Sequence, residues 1–431
     1  MFTAISIVVV AFVASFILNI PIVIPKILFL VLLAVILTDL LLLFRTRKGV
    51  SGERLNPEKL SNGDDNEVRI QLDNFYAFKA SLTVIDEIPH QFQRRDLNFK
   101  IDIPSGERKI IRYYLRPVKR GEYSFGAVNV FVTTPIGFLS RRFRFSADAL
   151  VPVYPSYIQM RKYELMAISN KLTEIGIKKI RRIGHNQEFE LIKEYVSGDD
   201  IRTINWKATA RRTNLMVNHF QDERSQQVYS LIDKGRVMQM PFNGMSLLDY
   251  AINASLVISN IAIKKSDKAG LITFQDKIGT MVPANRRNNQ LSHIMEVLYN
   301  QKTAYRESDF STLHSFIRRK VSQRSLLLLF TNFESIYGLH RQLPFLKSLA
   351  NQHLLVVIFF ENTEMRAMLN NPAHTLHDVY YKAVAEKFSY DKKLIVKELA
   401  KHGIQALLTA PEHLTVNTIN KYLELKARGM I

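Results

Sequence analysis

Residues 227–274 read "QVYSLIDKGRVMQMPFNGMSLLDYAINASLVISNIAIKKSDKAGLITF". The first seven form a short, almost continuously apolar run ending in Asp233, the length of a strand buried on both faces. "SLLDYAINASLVISNIAIKK" then places apolar residues at helical spacing, and "AGLITF" is a second apolar run. Strand, helix, strand is the repeat that parallel pairing demands, because a parallel partner can be reached only by a crossover. The rhythm continues downstream, with helices "NQLSHIMEVLYNQ", "STLHSFIRRK", "GLHRQLPFLKSLANQ", "IVKELAKHG" and "LTVNTINKYLELKAR", and strands "SLLLLFTNF", "LLVVIFFEN" and "IQALLTA". Residues 226–431 are therefore expected to form a doubly wound α/β domain, a parallel sheet covered on both faces. Ligands in such sheets sit beyond the C-terminal strand ends, which directs attention to the loops after Ile232, Phe330 and Phe360. No GxGxxG follows the first strand and no GxxxxGK[ST] occurs, so dinucleotide and P-loop sites have no motif to support them.

Upstream the period changes. "VRIQLDN", "KASLTVIDE", "LNFKIDIP", "RKIIRYYLRP", "GEYSFGAVNVFVTT" and "RRFRFSA" alternate apolar and polar residues between Pro, Gly, Asn and Asp, which predicts an antiparallel β-sandwich over residues 49–156. Before it, "MFTAISIVVVAFVASFILNI" and "ILFLVLLAVILTDLLLLF" are nearly charge-free and of about membrane-spanning length. Pro21 and Pro25 favour a tight return, so residues 1–48 read as a transmembrane helical hairpin. "RTRK" at Arg45 to Lys48 outweighs Lys26 of the hairpin loop, which puts the large remainder in the cytoplasm. Asp39 is costly in lipid and is expected near the interface or against a helix partner.

The 431-residue chain has no cysteine and a formal charge of +20. A tethered protein gains from basic residues beside an anionic leaflet, whereas the basic groups here follow no nucleic-acid reader motif. Nucleic acid is not the expected partner; membrane lipid is, through the hairpin.

Residues 157–225 are polar and contain "SGDDIRTINWKATARRTNLMVNHF", Ser197 to Phe220. Asp199 and Asp200 follow a turn, and Arg202, Arg211 and Arg212 could reach them if the segment folds back. Trp206 could bury its ring while Asn205 stands beside it. Two readings follow: a polar clasp joining the β module to the α/β domain, or a docking surface using exposed Arg and Trp. Catalysis has little support. Adjacent aspartates on an extended backbone point to opposite faces, there is no cysteine nucleophile, and "GMSLL" lacks the second glycine of a GxSxG elbow. His374 and His377 are three apart, with no further metal ligands close in sequence.

The two-helix anchor, the β module, "EFELIKEYVSGDDIRTINWKATARRTNLMVNHFQDE" and a strand ending in aspartate together resemble the bacterial domain of unknown function 58 family. The resemblance implies that residues 226–431 are a von Willebrand factor A-like (Rossmann-like) domain. It further implies a MoxR-type AAA+ ATPase as partner in assembling or maturing envelope or membrane-associated proteins. Domains of the von Willebrand type can hold Mg²⁺ or Mn²⁺ through a DxSxS, Thr, Asp set of oxygens. Here Asp233 matches while Gly235 and Val237 replace both serines. The threonine position falls on Ser308, with Asp309 beside it, and the late aspartate on Asn332. Lys234 and Arg236 add positive charge. The rim is degenerate, and Asp233 is expected instead to cap the following helix or to pair with a base. The expected protein is a non-enzymatic, membrane-anchored interaction scaffold. A metal-dependent adhesion-type module is the alternative.

Overall fold

In the computed structural model the chain forms two compact units, Met1–Tyr154 and Pro155–Ile431. The structure describes residues 2–18, 20–94, 96–146, 149–168, 187–197, 199, 201–212, 214–222, 225–303, 305–370, 372 and 375–430.

The first unit begins with α1 (Phe2–Ile17) and α2 (Val23–Arg45). α2 has 23 residues and mean hydropathy 3.0, and only 11% of its apolar window is buried. It is long and apolar enough to cross a membrane. α1 has 16 residues, about 24 Å at 1.5 Å per residue, shorter than the span expected over residues 1–20. Ten strands follow: β1 (Val50–Leu55), β2 (Leu60–Ser61), β3 (Asn66–Asn74), β4 (Ala80–Asp86), β5 (Asn98–Ile103), β6 (Arg108–Leu115), β7 (Gly121–Phe125), β8 (Val128–Thr133), β9 (Ser140–Phe145) and β10 (Ala149–Tyr154). They make three sheets, ordered β1-β3-β6, β2-β10-β7 and β5-β4-β8-β9, around a single apolar core. Alternation explains the arrangement: Val68, Ile70 and Leu72 of β3, and Ala80, Leu82 and Val84 of β4, point inward at every second residue.

Two polar features interrupt that core. Arg54 and Asp86 are a fully buried ion pair. Tyr113 donates to the other oxygen of Asp86, and Arg54 Nη2 donates to the carbonyls of Gly126 at 2.7 Å and Ser146 at 3.1 Å. Burial raises the Asp86 carboxyl above its ordinary range despite Arg54. The second is Asp39 of α2, which is completely buried. No helix partner satisfies it, which corrects that half of the expectation from sequence. It accepts instead from Thr134 Oγ1 and from the backbone N–H groups of Phe138 (3.0 Å) and Leu139 (2.8 Å), in the loop between β8 and β9. Leu43, one helical turn on, enters the module core.

The second unit contains α3 (Tyr157–Ile168), β11 (Gln187–Glu194), α4 (Trp206–Thr209), β12 (Met216–Asp222), β13 (Gln227–Asp233), β14 (Pro241–Phe242), β15 (Met245–Ser246), α5 (Leu247–Lys264), β16 (Lys268–Phe274), β17 (Ile278–Asn285), α6 (Gln290–Tyr299), α7 (Phe310–Lys320), β18 (Leu326–Phe330), α8 (Ile336–Gln352), β19 (Leu354–Phe360), α9 (Thr363–Asn370), α10 (Leu376–Lys401), β20 (Gln405–Thr409) and α11 (Leu414–Ala427). The main sheet runs β17-β16-β13-β18-β19-β20. All neighbours are parallel except the β16–β17 pair at one edge.

Both faces of this sheet are covered, which is why its strands read as continuous apolar runs. Val228, Ile232, Leu326, Leu328 and Ile358 pack towards α5 and α11, while their alternates Tyr229, Leu231, Leu327, Leu329 and Val357 pack towards α7, α8 and α10. α5 also has the length and apolarity of a membrane span, but 83% of its window is buried, so it is a core helix. A capping box fixes its start, with Ser246 Oγ donating to Asp249 Oδ2 at 2.6 Å while accepting from Asp249 N.

Removing one member of a buried ion pair strands the other charge. Asp86→Ala is therefore expected to destabilise the protein by about 3–5 kcal/mol, read as a loss of unfolding midpoint in denaturant. A change below 1 kcal/mol would mean that water already reaches Arg54.

Candidate functional site

The polar signature segment is an elaborated hairpin. β11 and β12 pair antiparallel from Gln187–Asp222 to Glu194–Met216, with a register shift between Phe189 and Leu191. The connection 195–215 is tied back onto β12. Tyr195 N donates to Leu215 O at 2.8 Å, Asn205 N to Met216 O at 2.9 Å and Met216 N to Thr209 Oγ1 at 3.0 Å. Asn205 Oδ1 caps the four-residue α4 by accepting from Ala208 N at 3.0 Å, and its Nδ2 donates to Asn218 Oδ1 at 2.7 Å. Asp199 accepts from Lys193 Nζ at 2.9 Å and Val196 N at 3.1 Å. Asp200 and the Arg202 side chain lie outside the described residues.

These bonds divide the motif. Asn205, Thr209 and Asp199 hold the tip, whereas Trp206, 69% exposed, and Ile201, 70% exposed, project from it. Lys207, Arg211 and Arg212 are exposed as well. The expectation of a buried Trp206 ring is therefore corrected. A four-residue helix capped from within leaves its first residue no apolar surface to cover.

The second place of interest is the C-terminal edge of the main sheet. Asp233 ends β13 fully buried. Oδ1 accepts from Gly235 N at 2.8 Å and from Ser308 Oγ, and Oδ2 accepts from Thr331 Oγ1 at 2.6 Å. Burial pushes its carboxyl above the ordinary range, against the three donors that lower it. Ser308 thus stands where the sequence put it, and Asp233 neither caps a helix nor pairs with a base. Asn332 does not bond to Asp233 and accepts instead from Lys392 Nζ at 2.6 Å. The residue that meets the carboxylate is Thr331, one position earlier. Asp309 caps α7, accepting from Ser311 N at 2.9 Å.

Gly235 has a steric reason. A Cβ there would lie 2.1 Å from Ser308 Oγ, so Ser308 fills the volume that a side chain at 235 would need. Val237, Arg236, Glu307, Thr331 and Arg341 line the adjoining cleft of about 160 Å³. As a Mg²⁺ or Mn²⁺ cage the set fits poorly. One carboxylate already engaged by two hydroxyls and an N–H offers little free hard-oxygen capacity, and no metal-binding group of three or more such side chains occurs among the described residues. His374 of the histidine pair lies outside the described residues.

Past Asn332 and Glu334 lies a larger cleft of about 250 Å³, lined by Met240, Phe242, Phe360, Met365, Phe388 and Leu408, with Lys392 reaching in. The Lys392 amino group is enclosed and packs 5.6 Å from the centre of the Phe359 ring. Burial lowers it from 10.5 to about 8, with Glu334 opposing. This lysine escaped the sequence reading, which recognised only the last turns of α10. Its signal would have been a lysine one helical turn from Phe388 on an otherwise apolar face. The smaller cleft is lined from the loops after Ile232 and Phe330, and the larger one from the loops after Phe330 and Phe360.

A lysine with a depressed native pKa makes the unfolded chain bind more protons between about pH 8 and 10.5, so wild-type stability rises with pH across that window. Replacing the amine removes the slope. Between pH 8 and 10.5 wild type should gain on the order of 2 kcal/mol relative to Lys392→Met, measured by denaturant unfolding at each pH. Parallel profiles would show that the amine is hydrated.

Comparison with known proteins bears on this second unit. Residues 192–371 match the family described as protein of unknown function DUF58. The uncharacterised protein YeaD of Bacillus subtilis (strain 168) is 26% identical over 208 residues, 46% of this chain and 51% of that protein. The chain thus spans about half the length of the curated relative it matches. Among solved structures, the PapD-like domain 7 of human CEP192 aligns at 13% identity and TM-score 0.19, over 24% of this chain and 86% of that one. Proximal thread matrix protein 1 of the mussel byssus aligns at 11% identity and TM-score 0.25, over 46% and 47%. Superpositions this loose carry no argument about fold or function. The matched segment starts inside β11 and takes in the hairpin tip and the Asp233 edge, so it is residues 192–371 that carry the likeness to the DUF58 family of proteins of unknown function.

Proposed function

We propose that the protein is a membrane-anchored interaction scaffold whose hairpin tip, centred on Trp206, docks a partner protein. The observation that carries this reading is the exposure of Trp206 and Ile201 on a connection whose backbone is pinned to β12. Rigid display of an aromatic beside basic groups is the composition of binding hot spots, and it spares the ordering entropy of a flexible loop. The family resemblance points to a MoxR-type AAA+ ATPase as the partner and to envelope or membrane-associated proteins as clients.

α2, ending in Arg45 and followed by Arg47 and Lys48, supports anchoring in the inner membrane with the remainder cytoplasmic. In chain order the main sheet runs 3-2-1-4-5-6 with an antiparallel edge strand, which supports a Rossmann-like, von Willebrand factor A-like domain. The engaged carboxylate of Asp233 supports an interaction domain that works without a divalent cation. The hydroxyls of Ser308 and Thr331 meet a carboxylate that burial pushes toward neutrality, the form that takes up no proton, and among the described residues no histidine lines either cleft, so the reading is non-enzymatic.

The test is capture of the ATPase by full-length protein in native membranes. Trp206→Ala should weaken capture roughly 30-fold, the equivalent of a 2 kcal/mol hot spot, while leaving the unfolding midpoint unchanged. Asn205→Ala should instead cost about 1 kcal/mol of stability through the lost cap. Equal capture by wild type and Trp206→Ala would overturn the docking role of the tip.

A further inference from the structure

We propose that the loop between β8 and β9, Thr134–Leu139, is inserted into the headgroup–acyl boundary of the bilayer beside α2. This rests on reading α2 as a membrane span.

The first observation is height. Asp39 precedes Arg45, the basic end of α2, by six residues, or about 9 Å along the helix. Because Asp39 accepts from Thr134, Phe138 and Leu139, the loop is fastened that far toward the bilayer from the basic residues Arg45, Arg47 and Lys48. Interfacial segments bury their apolar face about 5–10 Å into this boundary.

The second is composition. "FVTTPIGFL", Phe131 to Leu139, contains no charged residue, and Pro135, Ile136 and Gly137 are exposed at its tip. Arg141, immediately after it, donates to the carbonyls of Leu43 at 2.7 Å and Thr46 at 2.9 Å, and its guanidinium lies 4.8 Å from the Phe44 ring centre. That puts an arginine at the level of anionic headgroups and the apolar tip beyond it.

The third is hydrogen bonding, which bears most directly on the solvent. Thr134 Oγ1 accepts from Ile136 N at 3.2 Å and Gly137 N at 3.3 Å, and Asp39 takes the next two N–H groups. Pro135 has none. Four consecutive backbone donors are thus satisfied without water, as a low-dielectric surrounding requires. Gly137, with φ of +78°, supplies the left-handed residue the turn needs.

A neighbouring loop reinforces the arrangement. Phe75 is 55% exposed, its N–H donates to Gly49 O at 2.9 Å, and the hydroxyl of Tyr76 donates to Leu43 O at 2.9 Å. An exposed aromatic therefore stands where the chain leaves α2, at the depth of an interfacial aromatic belt.

The chain's lack of cysteine makes the test direct. Single cysteines are placed at Ile136, at Leu37 on the exposed side of α2, and at Lys119 in the turn after β6. Each full-length variant is labelled with NBD and reconstituted into vesicles of phosphatidylcholine and phosphatidylglycerol. The Ile136→Cys label should be blue-shifted and quenched most by a shallow doxyl lipid, the Leu37→Cys label quenched by a deep one, and the Lys119→Cys label by neither. If Ile136→Cys behaves like Lys119→Cys while Leu37→Cys is quenched, the loop is covered by water or protein and the proposal fails. If Leu37→Cys is unquenched as well, the spanning helix itself is refuted and the loop proposal goes with it.

Discussion

A carboxylate buried on a 23-residue apolar helix must be hydrogen-bonded or neutralised, since apolar surroundings solvate neither its charge nor its dipoles. Asp39 meets that requirement with two backbone N–H groups and one hydroxyl from the β8–β9 loop. The consequence runs in both directions. The helix cannot satisfy Asp39 without the β module, and the loop cannot satisfy its own donors without the helix. Leu43 extends the join into the module core, and Tyr76 and Arg141 close over its carbonyl. The helix α2 and the β module are therefore one folded piece, and a change in the helix is felt in the β sheets.

In the second unit the constraint is a sheet buried on both faces, which leaves its strand ends as the place where polar side chains can gather. Asp233 lies there, with its charge opposed by burial and its oxygens occupied by Ser308, Thr331 and Gly235 N. Lys392 stands beyond Asn332 with its charge opposed by the same means. Two groups of opposite sign, each pushed toward neutrality, line adjoining clefts instead of pairing. The hairpin tip follows another logic, since it carries its polar groups in its own backbone ties and leaves the large side chains outside.

Much of this was legible in the chain. Strand and helix alternation after Gln227 identified the α/β layers because strands buried on both faces cannot be polar. The antiparallel edge strand β17 was missed, because "IGTMVPAN" is half-exposed and broken by Gly279 and Pro283. The N-terminal part of α10 was missed for a related reason, as exposed Tyr380, Tyr381 and Tyr390 blur its apolar stripe. Thr331 was passed over for Asn332, because spacing along a strand end does not say which of two consecutive side chains turns toward Asp233. The Trp206 face turned on tertiary context: tryptophan content suggests burial, and only the Asn205 cap and the β12 ties show that the ring is left outside.

The claim that Trp206 is a contact residue is tested most directly by replacing it with photoreactive p-benzoylphenylalanine in cells, beside the same replacement at Lys119. Irradiation should yield one discrete adduct from position 206, identified by mass as an AAA+ ATPase, and none from position 119. Adducts from position 206 confined to this chain itself would contradict the claim, because the tip would then be covered from within.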